Sequence, residues 1–398
     1  MLAITVFFVI ICPIIGIPIA IYNTNKKGAM KIGAFFIILA YLGFLGYHFT
    51  PTAYSDLSRY YSLYLFPASN STLSGYLFAQ AGNDSFFLVQ RLFFYVIAKF
   101  NNMQMLPMFT SLLIYGLGFF TLNRANNSLE QSEISTNNNA QMVFIFLSIL
   151  PFAMVVNNVR NVIAFGILAV GLSRDLISKK HDLLTLLIYV VAVSMHIAAL
   201  AIILIRIVAY VLEVIISGRL WKLIIGIPVI GGIMYTVFET ELFQAFAEKG
   251  VSYFTGGGTT SVQSWFDAVD SNPLYKVNKA ITFLLLISIV WFIIKNLISK
   301  NDSKFRDFLM FNLVLILFIF VWMTRSGTTW IRFMLQLMYF LPILFIFTKK
   351  YNYFKLIWCV YIGWAILWQV YNFKVQSSIS TTVLLNMLIP LRLLFGGN

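Results

Sequence analysis

The stretch AITFLLLISIVWFIIKNLISKNDSKFRDFLMFNLVLILFIFVWM, residues 280–323, decides the fold. A helix needs roughly 20 apolar residues to cross the hydrocarbon core of a bilayer. Two such runs, 280–297 and 308–323, flank a connection that carries Lys295, Lys300, Lys304 and Arg306. Lys and Arg beside a span are retained on the cytoplasmic side, so the stretch reads as an inward crossing, a cytoplasmic turn and an outward crossing.

The rest of the chain repeats that alternation. Of 398 residues 60% are hydrophobic and only 11% charged, against roughly 25% charged in a soluble domain, which excludes an ordinary water-soluble enzyme. The apolar content suffices for about eleven to thirteen crossings. The expected fold is an all-α polytopic membrane protein forming one integral membrane domain over residues 1–398. A net charge of +14 would point to a polyanion in a soluble chain. Here the excess sits in short connections, where it orients helices, so nucleic acid is not an expected partner. Cys12 and Cys359 lie in apolar runs and read as small buried hydrophobes.

Run 2–22 is too long for a signal-peptide core and is followed by Lys26, Lys27 and Lys31, which places the amino terminus on the far side. Run 32–49 leads outward into a segment whose one basic residue over 50–85 is Arg59. Residues 86–100, interrupted by Arg91, read as an interfacial or half-inserted helix, so 50–100 forms one long external segment. Residues 107–122 cross inward, and the Asn-rich stretch 123–139 reads as a solvated loop. Residues 142–156 go out, 157–161 turn, and 162–172 return to a basic connection with Arg174, Lys179 and Lys180. The pair 183–195 and 197–212 places His196 on the same side as Arg160. Residues 221–238 lead to a second external segment, 239–279, with Gly256, Gly257, Gly258 and Trp265. After Arg325, Arg332 opens an inward helix that ends at Lys349 and Lys350; 356–371 goes out, and the topology of 381–395 stays open.

Ionisable groups near helix ends in a membrane need a partner or a purpose. Arg59, Arg91, Arg160, Arg325 and Arg332 are the candidates. A guanidinium stays charged and holds five donors in a rigid fork, which suits it to a phosphate or pyrophosphate; the bland alternative is snorkelling to headgroups or pairing with Asp. Asn157, Arg160 and Asn161 share a helical face, as do Arg332, Gln336 and Tyr339. Asp56, Arg59 and Tyr60 share another, with Tyr61 beside them, and this cluster is either a local salt bridge or a sugar and phosphate contact. His196 has no metal-type neighbours in sequence, so a zinc site is not expected, and it is either a packed core histidine or a base for an incoming hydroxyl. No phosphate loop, dinucleotide fingerprint or paired-His motif is present in the sequence.

Four stretches carry a resemblance: YSDLSRYY from Tyr54, NNVRNVIAFGILAVGLSR from Asn157, SMHIAAL around His196, and IRFMLQLMYFLPIL from Ile331. In this order the chain resembles the bacterial EpsG-like and Wzy-type polymerases, which join lipid-linked oligosaccharide repeat units on the external face of the inner membrane. The resemblance implies a GT-C-like, metal-independent, cofactor-free glycosyltransferase whose donor and acceptor are undecaprenyl diphosphate-linked glycans. It also implies membrane lipids and a chain-length regulator protein as partners. Carried over, Arg160 and Arg332 hold the donor diphosphate, with Arg325 a third clamp and Arg91 and Arg59 nearby. His196 or Asp56 activates the acceptor hydroxyl, Asn157 and Asn161 position the anion, and Tyr60, Tyr61 and Trp265 line the glycan path. The rival readings are a lipid-linked glycan flippase or exporter, and the ligase that moves finished glycan to lipid A core.

Overall fold

A computed structural model describes residues 2–53, 55–78, 87–131, 138–216, 271–298, 305–324, 329–349, 351–378 and 390. Among them the chain is predominantly helical with no strands: an all-α polytopic membrane protein. Six helices are long and apolar enough to cross a membrane, and a seventh crossing arises if one bent pair counts as a span. The long ones are α3 (Ala29–Tyr47), α8 (Met105–Gln131), α13 (Ala198–Ile216), α14 (Pro273–Ile298), α15 (Arg306–Met323) and α18 (Asn352–Gln376). The expected crossing at 221–238, the external segment 239–279 up to residue 270, and the tail 381–395 apart from Pro390 lie outside the described residues.

Several expected single helices are broken, with proline at each of three breaks. Run 2–22 is two helices, α1 (Leu2–Ile11) and α2 (Pro13–Asn23). Pro13 cannot donate to the preceding turn, and the chain folds back so sharply that a Cβ on Gly16 would lie 2.3 Å from the Val9 nitrogen. The run is therefore not the single crossing expected. Run 142–156 is α9 (Asn139–Ile149) and α10 (Phe152–Asn157), separated at Pro151. A broken helix leaves carbonyls without partners in a membrane; Gln369 Nε2 of α18 donates to the carbonyls of Leu147 and Ser148 at 2.6 and 2.7 Å. The helix opened by Arg332 is α16 (Thr329–Met338) and α17 (Leu341–Thr348), bent by 61° ahead of Pro342.

Two expected solvated connections are structured instead. Residues 123–131 continue α8, because Leu122, Ala125, Asn126 and Leu129 form one buried face and Asn126 Nδ2 donates to Glu130 at 2.6 Å. Residues 173–177 continue α11 (Val159–Leu172) as a π-helical turn, Ser173–Ile177, whose Asp175 is buried. Both regions are rich in polar residues, and Asn126 and Asp175 find their partners inside the bundle.

Helix α11 sits at the centre, buried along nearly its whole length. It packs against α8, α13, α16 and α12 (Leu183–Met195). On the side of its N-terminus short helices form a cover: α4 (Asp56–Tyr60), a π-helical turn (Tyr61–Leu65), α5 (Phe66–Ser69), α6 (Leu73–Phe78) and α7 (Leu88–Ala98). Their length matches an interfacial layer and not a crossing. The cover is held to the bundle through α4 on α10 and α7 on α12 and α8, and α3 leads into it packed closely on α8: a Cβ on Gly46 would lie 2.6 Å from the Pro107 carbonyl oxygen, the close approach that small residues permit between membrane helices.

Candidate functional site

The sequence candidates that the structure describes fall at one end of the bundle. Helix α12 starts at its cap Asp182, which accepts from Arg174 beyond the C-terminus of α11, and ends at His196. Since α11 and α12 are packed neighbours running in opposite directions, His196 and Arg160 share an end. Lys179 and Asp307 form an ion pair that ties the start of α15 to the other end of α11. The C-terminus of α15 and the start of α16, with Arg332, therefore lie at the Arg160 end. Asn157 Nδ2 donates to Gln376 Oε1 at 3.0 Å, which brings the C-terminus of α18 there too.

Arg160 is the second residue of α11. The chain leaves α10, turns at Asn158 (φ −98°, ψ 43°) and starts α11 with no side-chain cap on its first N–H groups, which leaves that terminus partially positive. From there Arg160 Nη1 donates to the Tyr64 hydroxyl oxygen at 2.9 Å. Its guanidinium carbon lies 5.4 Å from the centroids of both the Tyr60 and the Tyr64 rings. Tyr64 in turn stacks on Phe94 of α7, centroids 4.7 Å apart and 16° between planes, and Tyr60 lies 5.7 Å from the same ring. These phenols are neutral, so their contacts orient the guanidinium without cancelling its charge. Tyr64 and Phe94 were not singled out from sequence; the four-residue spacing from Tyr60 to Tyr64 on one helical face was the available signal.

Arg332 lies in the first turn of α16, a helix otherwise buried along its length. One turn deeper, Gln336 is fully buried and neither amide atom has a partner among the described residues; the Tyr339 hydroxyl is likewise buried without one. That hydroxyl is 3.0 Å from where a Cβ on Gly166 would sit, so the polar stripe of α16 faces α11. Asn157 and Asn161 are buried there, the Oδ1 of each without a described partner.

The remaining candidates make the following contacts. Asp56 pairs with Arg59 three residues on, and the Arg59 side chain is 66% exposed, which is the local salt bridge weighed above. Ser55 caps this helix, accepting from the Ser58 N–H at 3.2 Å, and Asp56 precedes Tyr60 by one turn on the same face. The Tyr61 hydroxyl is buried with no described partner. Arg91 is buried, and its Nη1 donates to the Leu77 carbonyl at 2.7 Å, tying α7 to α6. His196 adopts extended backbone at the end of α12, and its Nδ1 accepts from the Ala198 N–H at 3.1 Å. That bond places the neutral ring's proton on Nε2. Arg325 and Trp265 lie outside the described residues. No cluster of three or more His, Cys, Asp or Glu side chains with metal-ligand geometry occurs among the described residues.

At the opposite end lies a second charged cluster that was not read from the sequence. Arg206, inside α13, donates from Nε and Nη2 to the two carboxylate oxygens of Asp175 at 2.7 and 3.1 Å. The Tyr189 hydroxyl donates to Asp175 at 3.0 Å, and His181 lies 2.9 Å from it. The signal was an arginine within the apolar run 197–212, a position that demands a counter-charge.

Compared with known proteins, the chain matches no curated protein and no solved structure. Residues 31–386 match the model of the EpsG family. That match extends from α3 to beyond α18, through every helix that bears a described candidate, and the chain belongs to the EpsG family of polysaccharide-polymerase-like membrane proteins.

Proposed function

We propose that this protein is a glycan polymerase of the bacterial inner membrane. It transfers the growing glycan from undecaprenyl diphosphate to the next lipid-linked repeat unit, with the Arg160 end facing the periplasm and a GT-C-like division of labour. The observation that carries the reading is the pairing of α11 with α16. Each presents an arginine in its first turn, at the same end of the bundle, beside a helix N-terminus that favours anions.

In the reaction the bond between the donor's anomeric carbon and the diphosphate oxygen breaks, and a bond forms between that carbon and an acceptor hydroxyl oxygen. Negative charge develops on the departing diphosphate. Arg160 and Arg332 hold that charge, with Arg325 as the third clamp, taking the place that a metal ion would otherwise have. Asp56 takes the proton of the acceptor hydroxyl. His196, its Nδ1 already accepting a hydrogen bond, serves as an Nε2–H donor to a substrate oxygen. Tyr60, Tyr61 and Trp265 line the glycan path, Asn157 and Asn161 position the anion, and a chain-length regulator binds elsewhere on the protein.

The test is Arg160→Ala in a polymerase-deficient host. The protein is expected at its normal level with polymer chains lost, and a normal ladder of chain lengths overturns the reading. Purified protein supplied only with lipid-linked repeat units in detergent separates the rivals. Lengthened products are expected, whereas a flippase has no compartments to work across and a ligase has no second acceptor.

A further inference from the structure

The first apolar run reverses direction where it breaks. Cys12 alone separates α1 from α2 (φ −149°, ψ 85°), and Pro13 opens the second helix without an N–H to continue the first. From there α2 returns alongside α1. Gly16 packs on the backbone of Phe8 and Val9 next to the turn. Further down, Asn23 Nδ2 donates to Thr5 Oγ1 at 3.1 Å, and both residues are fully buried. In a straight helix that pair would stand about 27 Å apart. At the base, a Cβ on Gly33 in the second turn of α3 would lie 2.7 Å from Leu2 Cδ1. The Leu2 end therefore sits beside the connection that carries Lys26, Lys27 and Lys31.

That connection belongs to the Asp175 end of the bundle. Asn25 Oδ1 accepts from the Ala140 N–H at 2.8 Å, and Asn126 Oδ1 of α8 accepts from the neighbouring Asn138 N–H at 3.0 Å. Half a turn back along α8, Arg124 Nε donates to the Ser178 hydroxyl at 2.7 Å, just past Asp175. With 10 and 11 residues, each arm of the hairpin is about 15 Å long, roughly half the hydrocarbon core of a bilayer. Its outward face is apolar throughout, with Ile4, Phe7, Ile10, Ile14 and Ile15 exposed. At its base Tyr22 is exposed and the Lys26 ammonium lies 5.5 Å from the centre of that ring, the aromatic and basic pairing of a membrane–water interface. An apolar face of this height above a basic, aromatic base matches the acyl chains and anionic headgroups of one leaflet.

We infer that α1 and α2 form a re-entrant hairpin whose outer face binds the phospholipid acyl chains of the leaflet at the Asp175 end. The hairpin enters and leaves that leaflet without crossing, so Leu2 and Lys27 lie on one side of the membrane and Arg160 on the other. This replaces the crossing expected from sequence, which put Leu2 on the far side from Lys27, and it is independent of the polymerase reading. It is tested on the full-length protein in bacterial membranes with Cys12 and Cys359 replaced by serine. Oxidation of the double variant Thr5→Cys/Asn23→Cys is expected to join the two thiols within one chain and protect both from maleimide until reductant is added; thiols that stay reactive overturn the hairpin. A membrane-impermeant maleimide is expected to reach Ala3→Cys from the side that reaches Lys27→Cys, and Ser62→Cys from the opposite side. Labelling of Ala3→Cys from the Ser62 side overturns the inference. Should the double variant fail to fold, the labelling decides alone; should lipid shield Ala3→Cys from both sides, the cross-link does. The occupant of the outer face is read from a fluorophore on Ile14→Cys in reconstituted protein. Loss of most of its emission is expected with phosphatidylcholine that carries a doxyl group deep in its acyl chain. Emission that the doxyl lipid leaves unchanged means that a second copy or another protein covers the face, and overturns the lipid as its partner.

Discussion

The two ends of the bundle handle positive charge in different ways. At the Asp175 end each described ion pair joins a cation to a nearby carboxylate: Arg206 and His181 with Asp175, Arg174 with Asp182, Lys179 with Asp307. At the other end Arg59 pairs with Asp56, but Arg160 rests on two phenol rings and a phenol oxygen. A carboxylate partner stabilises an arginine and also neutralises it, whereas an aromatic seat orients the guanidinium and leaves its field intact for an anion. At one end carboxylates hold neighbouring elements together; at the other the phenols hold the Arg160 guanidinium where the proposed anion would meet it.

The sharpest way to break that contrast is to remove one charge from each end. Asp175→Asn strands the Arg206 guanidinium in a buried position and should destabilise the protein by about 3–5 kcal/mol, the cost of breaking a buried pair from one side. Arg160→Gln, which gives up a phenol hydrogen bond and two ring contacts, should cost less stability than Asp175→Asn while abolishing polymer. Thermal unfolding in detergent together with chain-length gels reads both variants. Loss of stability in Arg160→Gln as large as in Asp175→Asn would mean that the two ends do the same work.

How much of this was legible beforehand differs between the ends for the same physical reason. Apolar runs and basic connections follow from the cost of charge in hydrocarbon, so the all-α membrane class and the pairing of His196 with Arg160 could be read directly. The breaks at Pro13, Pro151 and ahead of Pro342 were marked by proline, yet whether proline bends or ends a helix depends on partners such as Gln369, which lies more than 200 residues from the carbonyls it caps. The seat of Arg160 is likewise non-local: Tyr64 is 96 residues away, and the four-residue spacing of Tyr60 and Tyr64 marks a shared face without naming what lies against it. Asp175 was hidden by its company, because a stretch with Arg174, Lys179 and Lys180 resembles a solvated turn until Arg206 is found beside it.

A smaller effect tests the seat itself. Tyr64→Phe keeps the ring stacked on Phe94 but removes the oxygen that accepts from Arg160. The loss of one hydrogen bond to a charged group, about 1.5–3 kcal/mol, should raise the KM for lipid-linked substrate roughly tenfold or more and leave the fold intact. Arg160→Lys keeps charge but lacks the planar fork, and should fall between Tyr64→Phe and Arg160→Gln in activity. Activity of Arg160→Lys equal to wild type would show that charge alone matters and that the aromatic seat is packing. His196→Gln against Asp56→Asn divides the remaining roles: the glutamine retains a donor and should keep most turnover, while the asparagine removes the proposed base and should not.

The mildest prediction concerns pH at the ion-pair end. The Arg174 hydrogen bond to Asp182, reinforced by the Thr185 side chain and N–H, holds the Asp182 carboxyl well below the usual carboxylate range. A depressed folded-state value contributes stability that is fully present above the unfolded value, near 3.9, and is lost only as the pH falls through the folded one. Asp182→Asn should therefore lower the melting temperature by less than Asp175→Asn does, and by the same amount at every pH from about 8 down to about 5. A gap that narrows within that window would mean that Asp182 is protonating there, and so that Arg174 does not grip it as the geometry indicates. Repeating the comparison in high salt separates the two ends further. The Arg174–Asp182 pair, whose carboxylate is half exposed, should weaken with screening more than the buried Arg206–Asp175 pair.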